Sequence, residues 1–332
     1  MRAVALLVVC VLVAGTAAAE TREIKKDYDE TFQVSEGAML ELHTGDGDVT
    51  IAPWDRDEIR VVVHYDATVN IGGAWKQQPD FDVDFEHAGN IVRVVAHEPS
   101  ASWGFGWVRR TIRKHIYEVS APSWMRLNVN GDDGDVTVTG LRGDVELALD
   151  DGDVQMTDIE CDRVDISLDD GDVRLIGFRA ALHITSDDGD VDIEDWVCPT
   201  VRIALEDGDV MLARGVGDVN VALDDGDLRI ERLDAKSLRA AGADGDMFIE
   251  LVRDGMVDLD LTTDDGDIDL KLHPNISAML AVAMDDGDVS ISHTGLSSIE
   301  KSRHRFAGTF GAGEGSVRVR TADGDIDIRE MK

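Results

Sequence analysis

The chain has 332 residues and a formal net charge of −36, from 68 acidic and 32 basic side chains. This balance argues against nucleic acid as a partner, because phosphate binding needs basic patches. Cations and cationic surfaces are the partners that such a charge favours.

Residues 1–19 have the pattern of a secretory signal peptide. Arg2 precedes an apolar run over residues 3–13, and three alanines at 17–19 form a small-residue cleavage site before Glu20. The run is too short to span a bilayer, and Cys10 lies in its middle, where a lipidated cysteine is not expected. We therefore expect an exported protein of the periplasm or the cell surface that does not span the membrane.

Residues 20–125 predict irregular N-terminal β-solenoid turns. Strand-like segments at 59–64, 81–85, 91–96 and 115–119 are separated by two insertions, near 66–80 and 98–114. The second insertion is aromatic and basic, with Trp103, Trp107, Arg109, Arg110 and Arg113. It could contact anionic lipid, lipopolysaccharide or a partner. Alternatively, it could fold back on the chain's own acidic turns or cap the first coils, and we favour this second interpretation.

One motif, Asp-Gly-Asp followed by an apolar residue, recurs eleven times. Its glycine stands at positions 47, 134, 152, 171, 189, 208, 226, 245, 266, 287 and 324. From 134 to 245 the spacing alternates between 18 and 19 residues, and the later spacings are 21, 21 and 37. A period of this size indicates a repeat architecture.

The apolar residues around each motif glycine predict two strands per repeat. They stand two and four residues after the glycine, as in Val154 and Met156, and seven, five and three residues before it, as in Val145, Leu147 and Leu149. Alternation of this kind indicates strands with one buried face. A further apolar residue, seven after the glycine, is expected to fill a corner: Leu141, Ile159, Phe178, Trp196 and Leu233.

The predicted fold is all-β, a β-solenoid resembling a parallel β-helix, with two short strands per turn of about 18–19 residues. Asp-Gly is also the strongest hairpin turn, so a long antiparallel meander is the rival. An open meander would expose an apolar face along its length. A meander closed as an outer-membrane barrel would need apolar outward residues and aromatic girdles, which the sequence lacks.

Residues 126–332 predict the regular solenoid, with a loop insertion at 295–313. The loop is inferred because residues 315–319 match residues 143–147, and it carries a basic cluster of Lys301, Arg303, His304 and Arg305.

Cys161 and Cys198 occupy equivalent positions two turns apart. Strands about 4.8 Å apart place them about 10 Å from each other, beyond the roughly 7 Å limit for a disulfide, so we predict two free thiols.

Stacking of the turns predicts two columns of aspartates, one residue before and one residue after each glycine. Neighbouring charges about 4.8 Å apart repel by roughly 1 kcal/mol even in water. Raised carboxyl pKa values, hydrogen bonds from turn amides, salt screening or bound cations could relieve this repulsion. Calcium, which takes carboxylate oxygens, is the sharpest hypothesis. Its candidate ligands are Asp133, Asp135, Asp151, Asp153, Asp170, Asp172, Asp188, Asp190, Asp207, Asp209, Asp225, Asp227, Asp265, Asp267, Asp286 and Asp288.

Two less specific interpretations of these aspartates stay open. The columns could accumulate cations loosely, without defined sites. Alternatively, Asp and Gly could simply be good turn residues, since Asp caps its own backbone and Gly supplies positive φ. The nine histidines show no metal-binding pair at helical spacing and are expected at surface or edge positions.

Several segments resemble a known family. They are the opening at 32–37, the Gly-Asp-Val-Thr-Ile turn at 47–51, the stretch at 119–138 and the repeated Gly-Asp-Val turns that follow. Together they resemble the bacterial "putative-adhesin" family of exported β-strand-repeat proteins, a domain of unknown function. The resemblance implies a β-solenoid and an adhesive or envelope-associated role, and it supplies no catalytic residues.

Two functions are therefore weighed. The first is a non-enzymatic acidic rod that presents a repetitive face to cations, to a cationic or envelope surface, or to a protein or glycan ligand. The second is a polysaccharide-processing β-helix enzyme that uses clustered carboxylates. An enzyme should break its repeat at the pocket, whereas here the acids are the repeat itself, which favours the first.

Overall fold

The computed structural model describes residues 20–75, 80–99, 104–302 and 304–331. The expected signal peptide lies outside these residues. Their regular secondary structure consists of β-strands. Among them, no helix is long and apolar enough to cross a membrane.

The strands are numbered in chain order. At the N-terminal end they are β1 (Glu20–Gln33), β2 (Met39–His43), β3 (Asp48–Pro53), β4 (Glu58–Trp75), β5 (Asp82–Ala88), β6 (Ile91–His97) and β7 (Gly104–Ala121). The central coils contain β8 (Arg126–Asp133), β9 (Val136–Thr139), β10 (Val145–Asp151), β11 (Val154–Thr157), β12 (Glu160–Asp170), β13 (Val173–Asp188), β14 (Val191–Asp207), β15 (Val210–Ala213), β16 (Val216–Asp225), β17 (Leu228–Leu233), β18 (Ser237–Asp244), β19 (Met247–Leu251), β20 (Gly255–Met256), β21 (Asp258–Asp265) and β22 (Ile268–Leu272). The last six are β23 (Ile276–Asp286), β24 (Val289–Ser292), β25 (Leu296–Lys301), β26 (Arg305–Phe310), β27 (Gly315–Asp323) and β28 (Ile326–Glu330).

Each repeat coil of the chain adds one strand segment to each of two sheets, and β13 and β14 each run from the first sheet into the second. Sheet 1 holds the strands that follow an Asp-Gly-Asp corner, and sheet 2 holds those that precede it. Within both sheets the repeat strands pair in parallel and in register, as in Val154 opposite Val173 in sheet 1 and Val145 opposite Val164 in sheet 2. Parallel pairing confirms the β-solenoid and rules out the meander.

The core lies between the two sheets. The alternating apolar residues point inward, and the side chains of Val154, Met156, Val145 and Leu147 are at most 2% exposed. The five corner-filling residues predicted from the sequence are also buried. A single apolar cluster runs from Ile24 to Ile328, so the whole described chain shares one core.

The N-terminal end contains antiparallel strands where the sequence suggested insertions. Most described residues of those segments belong to β4 and β7, which pair antiparallel from Arg60 opposite Ser120 to Trp75 opposite Gly104. Strand β1 pairs antiparallel with the other edge of β4. Alternate residues of β4 are buried as far as Ile71, which explains why the strand continues past His64.

The C-terminal end does not stack in sequence order. The coil of β27 and β28 lies between the coil of β21 and β22 and the coil of β23 and β24, pairing in parallel with both. Beyond β23, sheet 2 continues with β26, which pairs antiparallel with β23, and then with β25, which pairs antiparallel with β26. The loop expected at 295–313 therefore contains two strands, and that prediction is wrong.

The first Asp-Gly-Asp coil is placed in a similar way. Strand β2 lies between β6 and β8, and β3 lies between β7 and β9. Every coil carries the same apolar pattern, which specifies the buried face but not the neighbouring coil, so the order of stacking could not be predicted from it.

Cys161 and Cys198 are free thiols, as predicted.

Candidate functional site

The glycine of each corner is required by its backbone. From Gly134 onward the motif glycines have φ between +116° and +149°, a region that L side chains rarely adopt. A Cβ atom at any of them would lie 2.1–2.6 Å from the carbonyl oxygen of the motif glycine in the neighbouring coil. The close stacking of the corners thus excludes every other residue.

The aspartate after each glycine binds the next coil. Its Oδ1 atom accepts a hydrogen bond from the backbone N–H of the equivalent aspartate in the adjacent coil, at a distance of 2.7–3.2 Å. The other two N–H groups of the corner donate to backbone carbonyls, as Gly152 does to Asp170 and Val154 to Asp172. All three corner donors are therefore satisfied, and turn amides stabilise this column of carboxylates.

From Asp133 onward, the column before the glycine lacks such bonds between coils. Among its described members only Asp286 accepts a backbone hydrogen bond, from Gly287 of its own corner at 3.0 Å. Its aspartates pair in register through sheet 2, from Asp133 through Asp151 to Asp265, then Asp323 and Asp286. These side chains are exposed, and no basic side chain of the described residues forms an ion pair with them. This column is the part of the corner whose repulsion is not relieved within the chain.

The structure brings the predicted candidate residues into these two columns, with a changed order at the C-terminal end. Asp325 lies between Asp267 and Asp288, and Asp323 lies between Asp265 and Asp286. Both inserted aspartates belong to the motif around Gly324, so the sequence contained the signal that they are part of the columns. In the described part of the chain, no group of three or more His, Cys, Asp or Glu side chains is arranged to hold a metal ion.

A groove on the outer face of sheet 1 runs beside the corner. It has a volume of about 590 Å³, and its lining includes Asp209, Asp227, Met211 and Phe248. The guanidinium of Arg229 lies 4.5 Å from the ring centroid of Phe248. The groove therefore combines an acidic wall with an aromatic and thioether floor.

The basic residues of the N-terminal region pair with the chain's own acids. Arg110 contacts Glu98 and lies 3.3 Å from Asp46, and Arg113 pairs with Asp66. For these arginines the folding-back interpretation is confirmed. Trp103 and Arg303 lie outside the described residues.

Two histidines depart from the expected surface placement. His115 is 4% exposed and its Nε2 lies 3.0 Å from the Tyr117 hydroxyl. Burial, aided by the Arg110 guanidinium, lowers the pKa of His115 to about 4. His293 is also buried, against Phe310. Both histidines occupy core positions at the two ends of the rod, where coils carry extra strands and the simple repeat pattern no longer applies.

Comparison with known proteins agrees with this architecture. The model of the family described as Toastrack DUF4097 matches residues 38–251 and 214–329. The chain belongs to the Toastrack DUF4097 family. No curated protein matches this Toastrack chain in sequence.

Solved structures similar to this Toastrack chain are distant in sequence. One, described as a "putative lipid binding protein" from Parabacteroides distasonis, is 14% identical, covers 96% of this chain and 98% of its own, and has a TM-score of 0.38. A "putative adhesin" from Bacteroides fragilis is 12% identical, covers 92% and 97%, and has a TM-score of 0.33. A "putative cell adhesion protein" from Clostridium sporogenes is 10% identical, covers 92% and 100%, and has a TM-score of 0.22.

Proposed function

We propose that this Toastrack protein is an exported, non-enzymatic binding scaffold of the cell envelope or surface. Its acidic corner binds cations, calcium among them, or a cationic surface. The observation that carries the proposal is the column of aspartates before the motif glycines, which is in register from Asp133 to Asp286 and has no basic partner among the described residues.

Electrostatics explains why this column would attract cations. Adjacent carboxylates about 4.8 Å apart repel by roughly 1 kcal/mol at the dielectric constant of water. In the column after the glycine, each carboxylate binds an amide of the next coil. In the column before it, counter-ions are the remaining means of lowering the repulsion. A row of equivalent charges also suits multivalent contact with a cationic surface.

The donor set fits calcium better than a softer metal. The corner offers carboxylate and carbonyl oxygens, which calcium prefers, and it offers no thiol or imidazole. We propose that calcium binds along the column with modest affinity, because each carboxylate would have to be shared between neighbouring coils.

The proposal is tested by calorimetric titration of residues 20–332 with calcium, together with thermal unfolding in chelator and in millimolar calcium. A test variant carries Asp170→Asn, Asp188→Asn and Asp207→Asn. A control variant carries Glu20→Gln, Glu30→Gln and Glu36→Gln, which removes the same charge from exposed positions away from the column.

Saturable heat and a raised melting temperature are expected for the wild type and the control, with both reduced in the test variant. A melting shift no larger than that produced by sodium chloride at the same ionic strength, or an equal response from both variants, would contradict the calcium site.

A further inference from the structure

A second charged site lies at the C-terminal end of sheet 2, where the outer face turns basic. Arg320 on β27, Ala283 on β23 and Arg305 on β26 stand side by side in register. Adjacent strands are about 4.8 Å apart, so the two arginine backbones lie about 10 Å apart with a methyl group between them. One row along, Arg318, Ala281 and Ala307 repeat the arrangement with one arginine.

These rows form the floor and walls of a cavity of about 610 Å³. The floor is made largely of alanines, whose short side chains leave a depression between the arginines. Lys301 and the half-buried Phe306 also line it, and Glu300 is its one acidic residue. The site therefore has basic walls and a small apolar floor.

The cations of this cavity are available for a ligand. Lys301, Arg305 and Arg318 form no ion pair with any described residue. Arg320 donates one long hydrogen bond, of 3.5 Å, from Nη1 to Asp260, and its other guanidinium nitrogens make no ion pair with a described residue. Many arginines elsewhere are held by the chain's own acids, as Arg214 is by both Glu194 and Asp195. Three cations, Lys301, Arg305 and Arg318, thus gather without an ion-pair partner among the described residues, in a chain of net charge −36. Such a cluster marks a site for an external anion.

Two acids lie close to the cavity: Glu300 lines it, and Asp260 pairs with Arg320. The four basic side chains of the lining outnumber them, so the local charge stays positive. Salt screens exposed charges beyond about 8 Å at physiological ionic strength, so the distant aspartate columns contribute little here. A guanidinium group forms paired hydrogen bonds with tetrahedral oxyanions, and two such groups that face each other across a gap can bind one anion from both sides.

We propose that this cavity binds a phosphate monoester, clasped between Arg305 and Arg320 with Lys301 and Arg318 adding charge. The alanine floor and Phe306 receive the organic part of the ligand. The phosphate is carried either by a small soluble molecule or by a lipid headgroup, and this site is separate from the acidic corner.

Two binding measurements on residues 20–332 test the proposal. The soluble probe is glycerol 3-phosphate, measured by calorimetry. The membrane probe is a phosphatidylcholine vesicle that contains phosphatidic acid, measured by co-sedimentation against vesicles of phosphatidylcholine alone.

Arg305→Gln and Arg320→Gln are each expected to weaken binding by about tenfold or more, because each removes a charge-assisted hydrogen bond. Arg239→Gln is the matched control, since Arg239 is exposed on the outer face of sheet 2 and has no ion pair with a described residue. The Arg305→Lys, Arg320→Lys variant keeps the charge without the planar fork and is expected to bind more weakly than the wild type. All three altered side chains are exposed, so unchanged melting temperatures are expected.

Binding of both probes would support the site and show that a soluble phosphate ester suffices, and binding of the vesicles alone would support it with a lipid as the source. Failure of the wild type to bind either probe would overturn the proposal. An equal loss in Arg239→Gln would overturn it too, because the effect would then reflect net charge rather than this cavity.

Discussion

The Oδ1 atom of Asp190 accepts a hydrogen bond of 2.9 Å from the backbone N–H of Asp209. Asp209 accepts one in turn from Asp227 at 2.8 Å. The side chain thus supplies, at the corner, the acceptor that a backbone carbonyl supplies along a strand. The second aspartate of the motif therefore has a structural role, whether or not it also binds a cation.

Substitution of Asp190 separates this structural role from the effect of charge. Asp190→Ala removes the acceptor of the Asp209 amide and should destabilise the protein by about 1–2 kcal/mol. Asp190→Asn keeps an oxygen acceptor and removes one charge from a repulsive column, so it should melt at or above the wild-type temperature in low salt, with the difference shrinking in 0.5 M sodium chloride. Equal melting temperatures for the alanine variant and the wild type would contradict the role of the hydrogen bond.

The motif glycine should tolerate no side chain. In Gly189→Ala the new Cβ would lie 2.2 Å from the carbonyl oxygen of Gly171, at a φ of +128°. Backbone strain and overpacking each cost about 1–3 kcal/mol, so a large fall in melting temperature is expected. Gly89→Ala is the control, because Gly89 also has positive φ but nothing lies within 4 Å of its added Cβ. Similar losses in the two variants would show that strain alone, without the stacking contact, accounts for the motif.

The pattern of apolar residues was enough to predict the buried faces and the parallel stacking. The pattern did not predict the stacking order at the C-terminal end, where coils that are adjacent in space are not consecutive in sequence. Residues 326–330 pair with β22 and β24 through the same apolar alternation that every coil carries, so the alternation does not select one neighbour. The continuation of β4 was readable, since Ala67, Val69 and Ile71 extend the buried alternation. The other corner of the coil, six residues after the motif glycine, could not be predicted. There Asp158 and Arg232 have φ near +56°, and their side chains do not signal a left-handed conformation.

Buried His115 should make stability depend on pH. Its pKa is about 4 in the folded protein and about 6.5 when unfolded, so the unfolded chain takes up the proton first as the pH falls. The stabilisation is complete above pH 6.5 and is lost progressively down to pH 4, by about 3 kcal/mol. His115→Gln should therefore lose less stability than the wild type between pH 7.5 and 4.5 in thermal unfolding. His183→Gln, at an exposed histidine, should behave as the wild type does, and a parallel fall in all three proteins would contradict the assignment.

The two thiols should be unreactive in the folded protein. Burial raises the pKa of Cys161 to about 12 and that of Cys198 to about 11, and the thiolate is the reactive form. A chromogenic disulfide reagent at pH 8 should label both slowly in the native protein and rapidly in guanidinium chloride. Fast native labelling would contradict the raised pKa values of these thiols, and a melting temperature lowered by a reducing agent would contradict their being free.

Removal of the last coil should harm the protein more than removal of the whole C-terminal end. A chain of residues 20–311 keeps β21 to β26 but lacks β27 and β28. In the full chain β27 lies between β21 and β23 and pairs with both, so its removal leaves both strands without a partner on that side. A chain of residues 20–274 ends cleanly after β22 and leaves fewer unpaired edges. The longer chain is expected to melt at a lower temperature and to aggregate more readily, and the reverse order would show that β23 can pair directly with β21.

The inward position of β27 and β28 constrains how such a rod can change its length during evolution. A new repeat added directly after β28 would start from a coil whose two faces are already occupied, by β21 and β22 on one side and β23 and β24 on the other. Duplication within the central coils meets no such obstacle, because each copy stacks on one like itself. Relatives of different length should therefore differ by whole coils inserted between β9 and β19, with both ends of the chain unchanged.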